Sequence, residues 1–187
     1  MRGTNNLMPK VIIAEKPSLA RKIVEAIGRM DKKDGYFEND DYIVTWTFGH
    51  LFTLCDVEDY TNEDAQWDLD ELPFIPETFM FTLKRDSQTK VVESSIKKQF
   101  KIIKELALRK DVSAVINAGD SDREGEIIIR IILQNIKGFK KPVMRLWLPD
   151  QTTETIAEEL KKARDDKEYD ALANEGYARM YIDWLYG

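Results

Sequence analysis

Val112-Ser113-Ala114-Val115-Ile116-Asn117-Ala118-Gly119-Asp120-Ser121-Asp122-Arg123-Glu124-Gly125-Glu126-Ile127-Ile128-Ile129 is the stretch whose reading decides the fold. A β-branched run of strand length ends in a glycine. Three carboxylates at alternate positions, Asp120, Asp122 and Glu124, follow, and then a strongly apolar run with helical length. The pattern predicts a buried strand over Val112–Asn117, a turn, and a helix from about Arg123. Acids at a helix start also suit the macrodipole, so one of them there is routine. Three around an arginine are less so, because like charges packed this closely repel unless something positive lies among them. The atoms offered are all oxygen, which suits a hard divalent cation such as magnesium.

Outward from this stretch, strands and helices alternate. Val11-Ile12-Ile13-Ala14 reads as a second buried parallel strand, and Pro17 sits where a helix begins. Ala20, Ile23, Val24 and Ile27 make that helix's apolar stripe, with Gly28 as its stop. Tyr42–Phe48, Phe79–Leu83 and Val143–Trp147 read as further strands. A long helix is expected from an N-cap at Ser87 to about Leu108, with Lys97, Lys98, Lys101 and Lys104 on its solvated side. Helices are expected again from about Thr153 and Glu168, and Asp56–Glu71, acidic with scattered aromatics, reads as an excursion from the sheet. The alternation implies an α/β domain with a mainly parallel sheet flanked by helices, followed by a short helical C-terminal segment. Ligands in such sheets bind outside the carboxyl ends of strands, which is where both Glu15-Lys16 and the acidic turn fall.

The 187 residues suffice for one sizeable domain. A net charge of −6 argues against a broadly basic nucleic-acid coat but leaves room for a local phosphate site. Cys55 is the single cysteine, which excludes an internal disulfide and a Cys-based zinc site and fits a reducing cytoplasm. The longest apolar stretch is too short to span a membrane, and no signal-peptide core opens the chain. The last residues lie inside a predicted helix, so the chain is expected to be part of a longer protein. Near the first strand tip, Glu15 can serve as a proton donor to a leaving oxygen and Lys16 can neutralise phosphate charge; a solvated loop is the plainer alternative. His50, the only histidine, stands between apolar residues, where packing is the commoner role. Of the four tryptophans, Trp46, Trp67, Trp147 and Trp184, any can stack a base, though most are expected in the core.

Taken together, these residues resemble a known family. Ile13-Ala14-Glu15-Lys16-Pro17-Ser18-Leu19-Ala20 is similar to the opening motif of type IA DNA topoisomerases of the topoisomerase III branch. Ala118–Gly125 is similar to the DxDxE motif of their TOPRIM domain. Trp46–Leu51, Trp67 with Leu72–Glu77, Arg145–Trp147 and Asp183–Gly187 continue the resemblance in order along nearly the whole chain. The resemblance implies a TOPRIM, Rossmann-like domain over 10–148, with an irregular excursion about 50–80, and the start of a helical topoisomerase domain over 149–187. It implies ATP-independent cutting and rejoining of single-stranded DNA by transesterification. Magnesium would be held by Asp120, Asp122 and Glu124, with Glu15 assisting proton transfer, Lys16 at the scissile phosphate, Arg123 holding the backbone, and His50 and Arg179 as further candidate DNA contacts. The implied partners are single-stranded DNA and the remaining topoisomerase domains, and the implied location is the cytoplasm, at the nucleoid, with no membrane. Ser121 departs from the common proline, and Tyr181 stands where arginine is usual. None of the seven tyrosines has the Tyr-Pro-Arg-like context of the family's nucleophile, so the chain alone is expected to form no covalent DNA adduct. Other expectations stay open: a TOPRIM nuclease using metal-activated water, a primase-type domain, or a non-catalytic nucleic-acid-binding module. A nucleotide-binding α/β domain lacks support, since no P-loop or Gly-x-Gly-x-x-Gly is present.

Overall fold

Val11, Ile12, Ile13 and Ala14 are completely buried, and the strand they form is the centre of the molecule. The structure, a computed structural model, describes residues 8–61 and 74–186. The segment holding Trp67, Leu72 and Pro73, and with it most of the expected excursion, lies outside the described residues.

Strand β1 (Lys10–Ala14) pairs in parallel on one side with β4 (Tyr42–Trp46) and on the other with β7 (Ala114–Ala118). Beyond β7 lies β8 (Val143–Arg145), also parallel, and then the two-residue antiparallel edge strand β9 (Arg164–Asp165). Beyond β4 lies an antiparallel hairpin of β3 (Tyr36–Glu38) and β2 (Asp31–Lys33), giving the order β2-β3-β4-β1-β7-β8-β9. A smaller two-stranded sheet joins β5 (Phe52–Leu54) to β6 (Phe81–Leu83).

Alternation along β1 divides the core between two layers. Val11 and Ile13 face α3 (Ser94–Leu108) and α4 (Arg123–Gln134), meeting Ile103, Leu106, Ile127 and Ile131. Ile12 and Ala14 face α1 (Pro17–Ile27) and α5 (Thr153–Glu159), meeting Leu19, Ile23 and Ile156. A third helix on the first face, α6 (Asp170–Tyr186), crosses α4 so closely that a Cβ at Gly176 would stand 2.6 Å from the Arg123 carbonyl oxygen. A short helix α2 (Val57–Thr61) completes the α-helices among the described residues.

Several boundaries differ from the sequence reading. The long helix begins at Ser94 and not after Ser87, because the Asp86 carboxylate accepts from the Gln88 and Thr89 amides and holds Ser87 in a turn. The β2–β3 hairpin was not expected, although Asp34-Gly35 at its tip, with Gly35 at φ 84°, is a strong turn signal. The strand after Lys141 stops at Arg145, two residues before Trp147, and the Tyr42 strand stops at Trp46. The last helix starts at Asp170, preceded by a 3-10 turn over Asp166–Tyr169, and the sixth strand starts at Phe81. Among the described residues, no helix is long and apolar enough to cross a membrane.

Candidate functional site

The sheet order reverses direction of growth between β1 and β7. The residues that leave these two strands therefore open into one crevice. Ala14 is level with Ala118, so Glu15 emerges beside Gly119 and Asp120. The Glu15 amide donates to the Ala118 carbonyl at 3.3 Å, and its own carbonyl accepts from Thr47 Oγ1 at 2.7 Å and the Gly49 amide at 3.1 Å. Three strand tips are thus tied at Glu15.

The Glu15 side chain, nearly buried, turns toward the acidic loop, and its Oε2 accepts from the Asp120 amide at 2.9 Å. The Lys16 ammonium bridges the two acids, 3.1 Å from Glu15 Oε1 and 2.8 Å from Asp120 Oδ2. Those two contacts, Asp120 first, push the lysine well above its ordinary value. The other Asp120 oxygen accepts from Gln151 Nε2 at 3.3 Å. Asp122 caps α4, its Oδ1 accepting from the Gly125 amide at 2.7 Å. Glu124, two residues further, has its Oε2 3.7 Å from His50 Nε2. Burial lowers the His50 imidazole below its usual range, opposed by the charges of Glu124 and Glu15.

Of the residues singled out from sequence, Glu15, Lys16 and Asp120 are in direct contact. Asp122 and Glu124 belong to the same turn, and His50 faces Glu124. Arg123 pairs outward with Glu175 of α6 at 2.7 Å, not with its acidic neighbours. Arg179 is not brought to the cluster; it is exposed on α6 and pairs with Asp183 at 3.1 Å.

The turn is held from beneath by a buried charge network that sequence reasoning missed. Arg145 is completely buried at the end of β8. Its Nε donates to Glu126 Oε2 at 2.6 Å. Its Nη1 donates to the carbonyls of Gly119 at 2.9 Å and Leu146 at 2.8 Å, and more distantly to Asn117; Nη2 donates to the Asp120 carbonyl at 2.8 Å. Glu126, also completely buried, accepts through its second oxygen from Arg130 Nε at 2.9 Å. Arg130 continues to Asp166 Oδ2 at 2.9 Å and Asp170 at 2.7 Å. Asp166 is raised above the usual carboxylate range by burial, against the pull of Arg130, and accepts from Asn117 Nδ2 at 3.3 Å. The sequence signal was a lone acid inside an isoleucine-rich helix face and a lone arginine ending a buried strand, two charges that must find each other.

Glycine is required where the turn folds onto itself. A Cβ on Gly125 would stand 2.5 Å from the Asp120 nitrogen, and one on Gly119 would stand 2.7 Å from the Gly125 carbonyl carbon. The close approach lets the α4 N-terminus lie against the β7 tip.

In kind, the donors fit a hard divalent cation: every offered ligand atom is a carboxylate oxygen. Among the described residues, no three His, Cys, Asp or Glu side chains converge on one point. Glu15 and Asp120 share one cation, the Lys16 ammonium.

Comparison with known proteins gives a consistent picture. The chain matches the Toprim domain family over residues 10–151. It is 42% identical over 180 residues to a protein named DNA topoisomerase 3 from Staphylococcus haemolyticus (strain JCSC1435), a match covering 96% of this chain and 24% of that one. The protein of the same name from Staphylococcus aureus (strain USA300) is 41% identical with the same coverage. The chain therefore spans about a quarter of the length of the curated relatives it matches.

Proposed function

The chain belongs to the Toprim domain family, and from that premise we propose that it is the magnesium-binding, phosphate-handling part of a DNA topoisomerase III, a type IA enzyme that works without ATP. The observation that carries the reading is the contact of Glu15, Lys16 and Asp120 from two neighbouring strand tips. An acid, a base and an acidic turn meeting in one crevice suit phosphate transfer, which is mostly positioning and charge stabilisation.

In this reading a phosphodiester of single-stranded DNA enters the crevice. A tyrosine hydroxyl from another part of the longer protein gives its proton to solvent as it attacks phosphorus, and the bond from phosphorus to the 3′ oxygen breaks. Glu15 gives the departing 3′ oxygen a proton and takes it back on rejoining. Lys16 exchanges its carboxylate contacts for a non-bridging phosphate oxygen. Arg123, on the exposed start of α4, leaves Glu175 for the strand backbone. Asp120, Asp122 and Glu124 would hold magnesium, which supplies fixed positive charge next to the phosphate. Residues beyond about 149 begin the helical part that connects to the tyrosine, and the protein acts on chromosomal DNA in the cytoplasm.

A chimera tests this. The matched segment of a staphylococcal DNA topoisomerase 3 is replaced by this chain, and plasmid relaxation is measured with magnesium and without ATP. Relaxation that disappears with Asp120→Asn is expected. A folded chimera without relaxation would count against the proposal. So would release of free cleavage products when the unfused chain meets single-stranded DNA and magnesium, which would favour the nuclease alternative.

A further inference from the structure

On the far side of Arg145 from the acidic turn lies a groove of about 290 Å³ at the sheet edge, lined by Arg145, Trp147, Glu159, Lys162, Arg164 and Tyr169. We infer that this groove binds an unpaired nucleotide of a DNA strand, its base against the Trp147–Tyr169 pair and its phosphate on Lys162 and Arg164. The inference rests on the reading of the chain as a DNA-handling domain, and it adds a contact outside the crevice.

Four observations support it. Trp147 and Tyr169 are half-buried and stacked, ring centroids 5.3 Å apart and planes 16° from parallel, which makes an aromatic wall suited to a flat heterocycle. The guanidinium of Arg145 lies over that wall, its Cζ 5.2 Å from the Trp147 centroid and 5.9 Å from that of Tyr169, so the wall is held rigid by a side chain that is itself immobile. Lys162 and Arg164 are exposed at the rim of an otherwise acidic chain. Their present partners are carboxylates, the half-buried Glu159 that also lines the groove, at 2.9 Å, and the exposed Glu168 at 3.7 Å, and an incoming phosphate displaces both. Finally, the groove is joined to the crevice. Arg145 bonds the Asp120 carbonyl at 2.8 Å, and Leu148, next to Trp147, exchanges hydrogen bonds of 2.8 and 2.9 Å with the Ser121 hydroxyl. A strand leaving the acidic turn along this edge meets the aromatic wall next.

An aromatic wall alone would suit many flat ligands, and rim cations alone would suit any anion. Their combination, one connected layer away from a phosphate-handling turn, selects a nucleotide.

The test uses the 187-residue chain and a short single-stranded oligonucleotide carrying 5-iododeoxyuridine, irradiated and mapped by mass spectrometry. Anisotropy titrations across a salt series are made on the same chain. A covalent adduct on Trp147 or Tyr169 is expected. The double variant Lys162→Gln/Arg164→Gln, exposed positions whose change leaves the core intact, should lose that adduct. It should also weaken DNA binding by about tenfold at low salt and lower the salt slope by about 1 to 2. Adducts confined to other residues, or an affinity that the double variant leaves unchanged, would overturn the groove while leaving the DNA reading standing. No DNA binding by the unaltered chain at any salt would overturn both.

Discussion

Arg145→Leu tests whether the buried network holds the acidic turn. The substitution removes a completely buried guanidinium that donates to Glu126 and to the carbonyls of Asn117, Gly119, Asp120 and Leu146. Glu126, equally buried, keeps Arg130 as a charge partner, at 2.9 Å. Removing one member of a buried ion pair costs about 3–5 kcal/mol, and each carbonyl left dry adds about 1–3 kcal/mol unless water enters. A loss of at least about 4 kcal/mol is therefore expected, against a total for a domain of about 5–15 kcal/mol. In urea denaturation followed by far-UV circular dichroism, this moves the midpoint down by about 2 M for a slope near 2 kcal/mol per M. Glu126→Leu/Arg145→Leu separates the causes. If only charge pairing mattered, the apolar pair would recover most of the loss. The structure predicts that it stays at least about 2 kcal/mol below the parent, because the Gly119 and Leu146 carbonyls lose their donor, while those of Asn117 and Asp120 keep the Leu146 and Asp122 amides at 2.9 Å. An Arg145→Leu variant within about 1 kcal/mol of the parent would refute the assignment of Arg145 as the hub.

Gly125→Ala places a methyl group against the Asp120 backbone, so either α4 or the β7 tip must move. A loss of about 1–3 kcal/mol is expected, with weakened magnesium binding, and unchanged values for both would contradict the close approach. His50 carries a pH dependence. Burial holds its folded-state value below the ordinary 6.5, so between the two values the unfolded chain binds more protons and stability falls as pH drops below about 6.5. His50→Gln should flatten the stability profile between pH 7.5 and 5 relative to the parent; parallel profiles would show that His50 is not the group responsible.

What the sequence revealed and what it hid follow from the range of the interactions involved. The Val11–Ala14 and Val112–Asn117 runs were legible because a strand buried on both faces is nearly continuously apolar, broken in the second run only by Ser113 and Asn117. Once those two were read as parallel, Glu15 and the acidic turn had to share an edge of the sheet, and they do. The hairpin at Asp34-Gly35 escaped because three-residue strands show no period, although the turn itself was signalled. Ser87 looked like a cap in isolation and lost to the neighbouring Asp86 carboxylate, a competition between local hydrogen bonds. The Arg145–Glu126 pair joins residues 19 apart on a strand and a helix, and Asp166 enters from 49 residues beyond Asn117. No local pattern encodes such pairings; only the packed sheet brings them together. Trp147 is a mixed case, since its stacking on Tyr169 depends on a 3-10 turn and an edge strand that the sequence did not announce.

The central claim is that the turn from Asp120 to Glu124, faced by Glu15, binds magnesium for phosphate transfer. Calorimetric titration of the chain with magnesium chloride at low salt, compared with Asp120→Asn/Asp122→Asn, tests it without requiring catalysis. Asparagine keeps the shape of both side chains and still caps α4, so the fold is retained. Saturable binding by the parent that is abolished in the double variant is the predicted result; equal heats from the two proteins would contradict it.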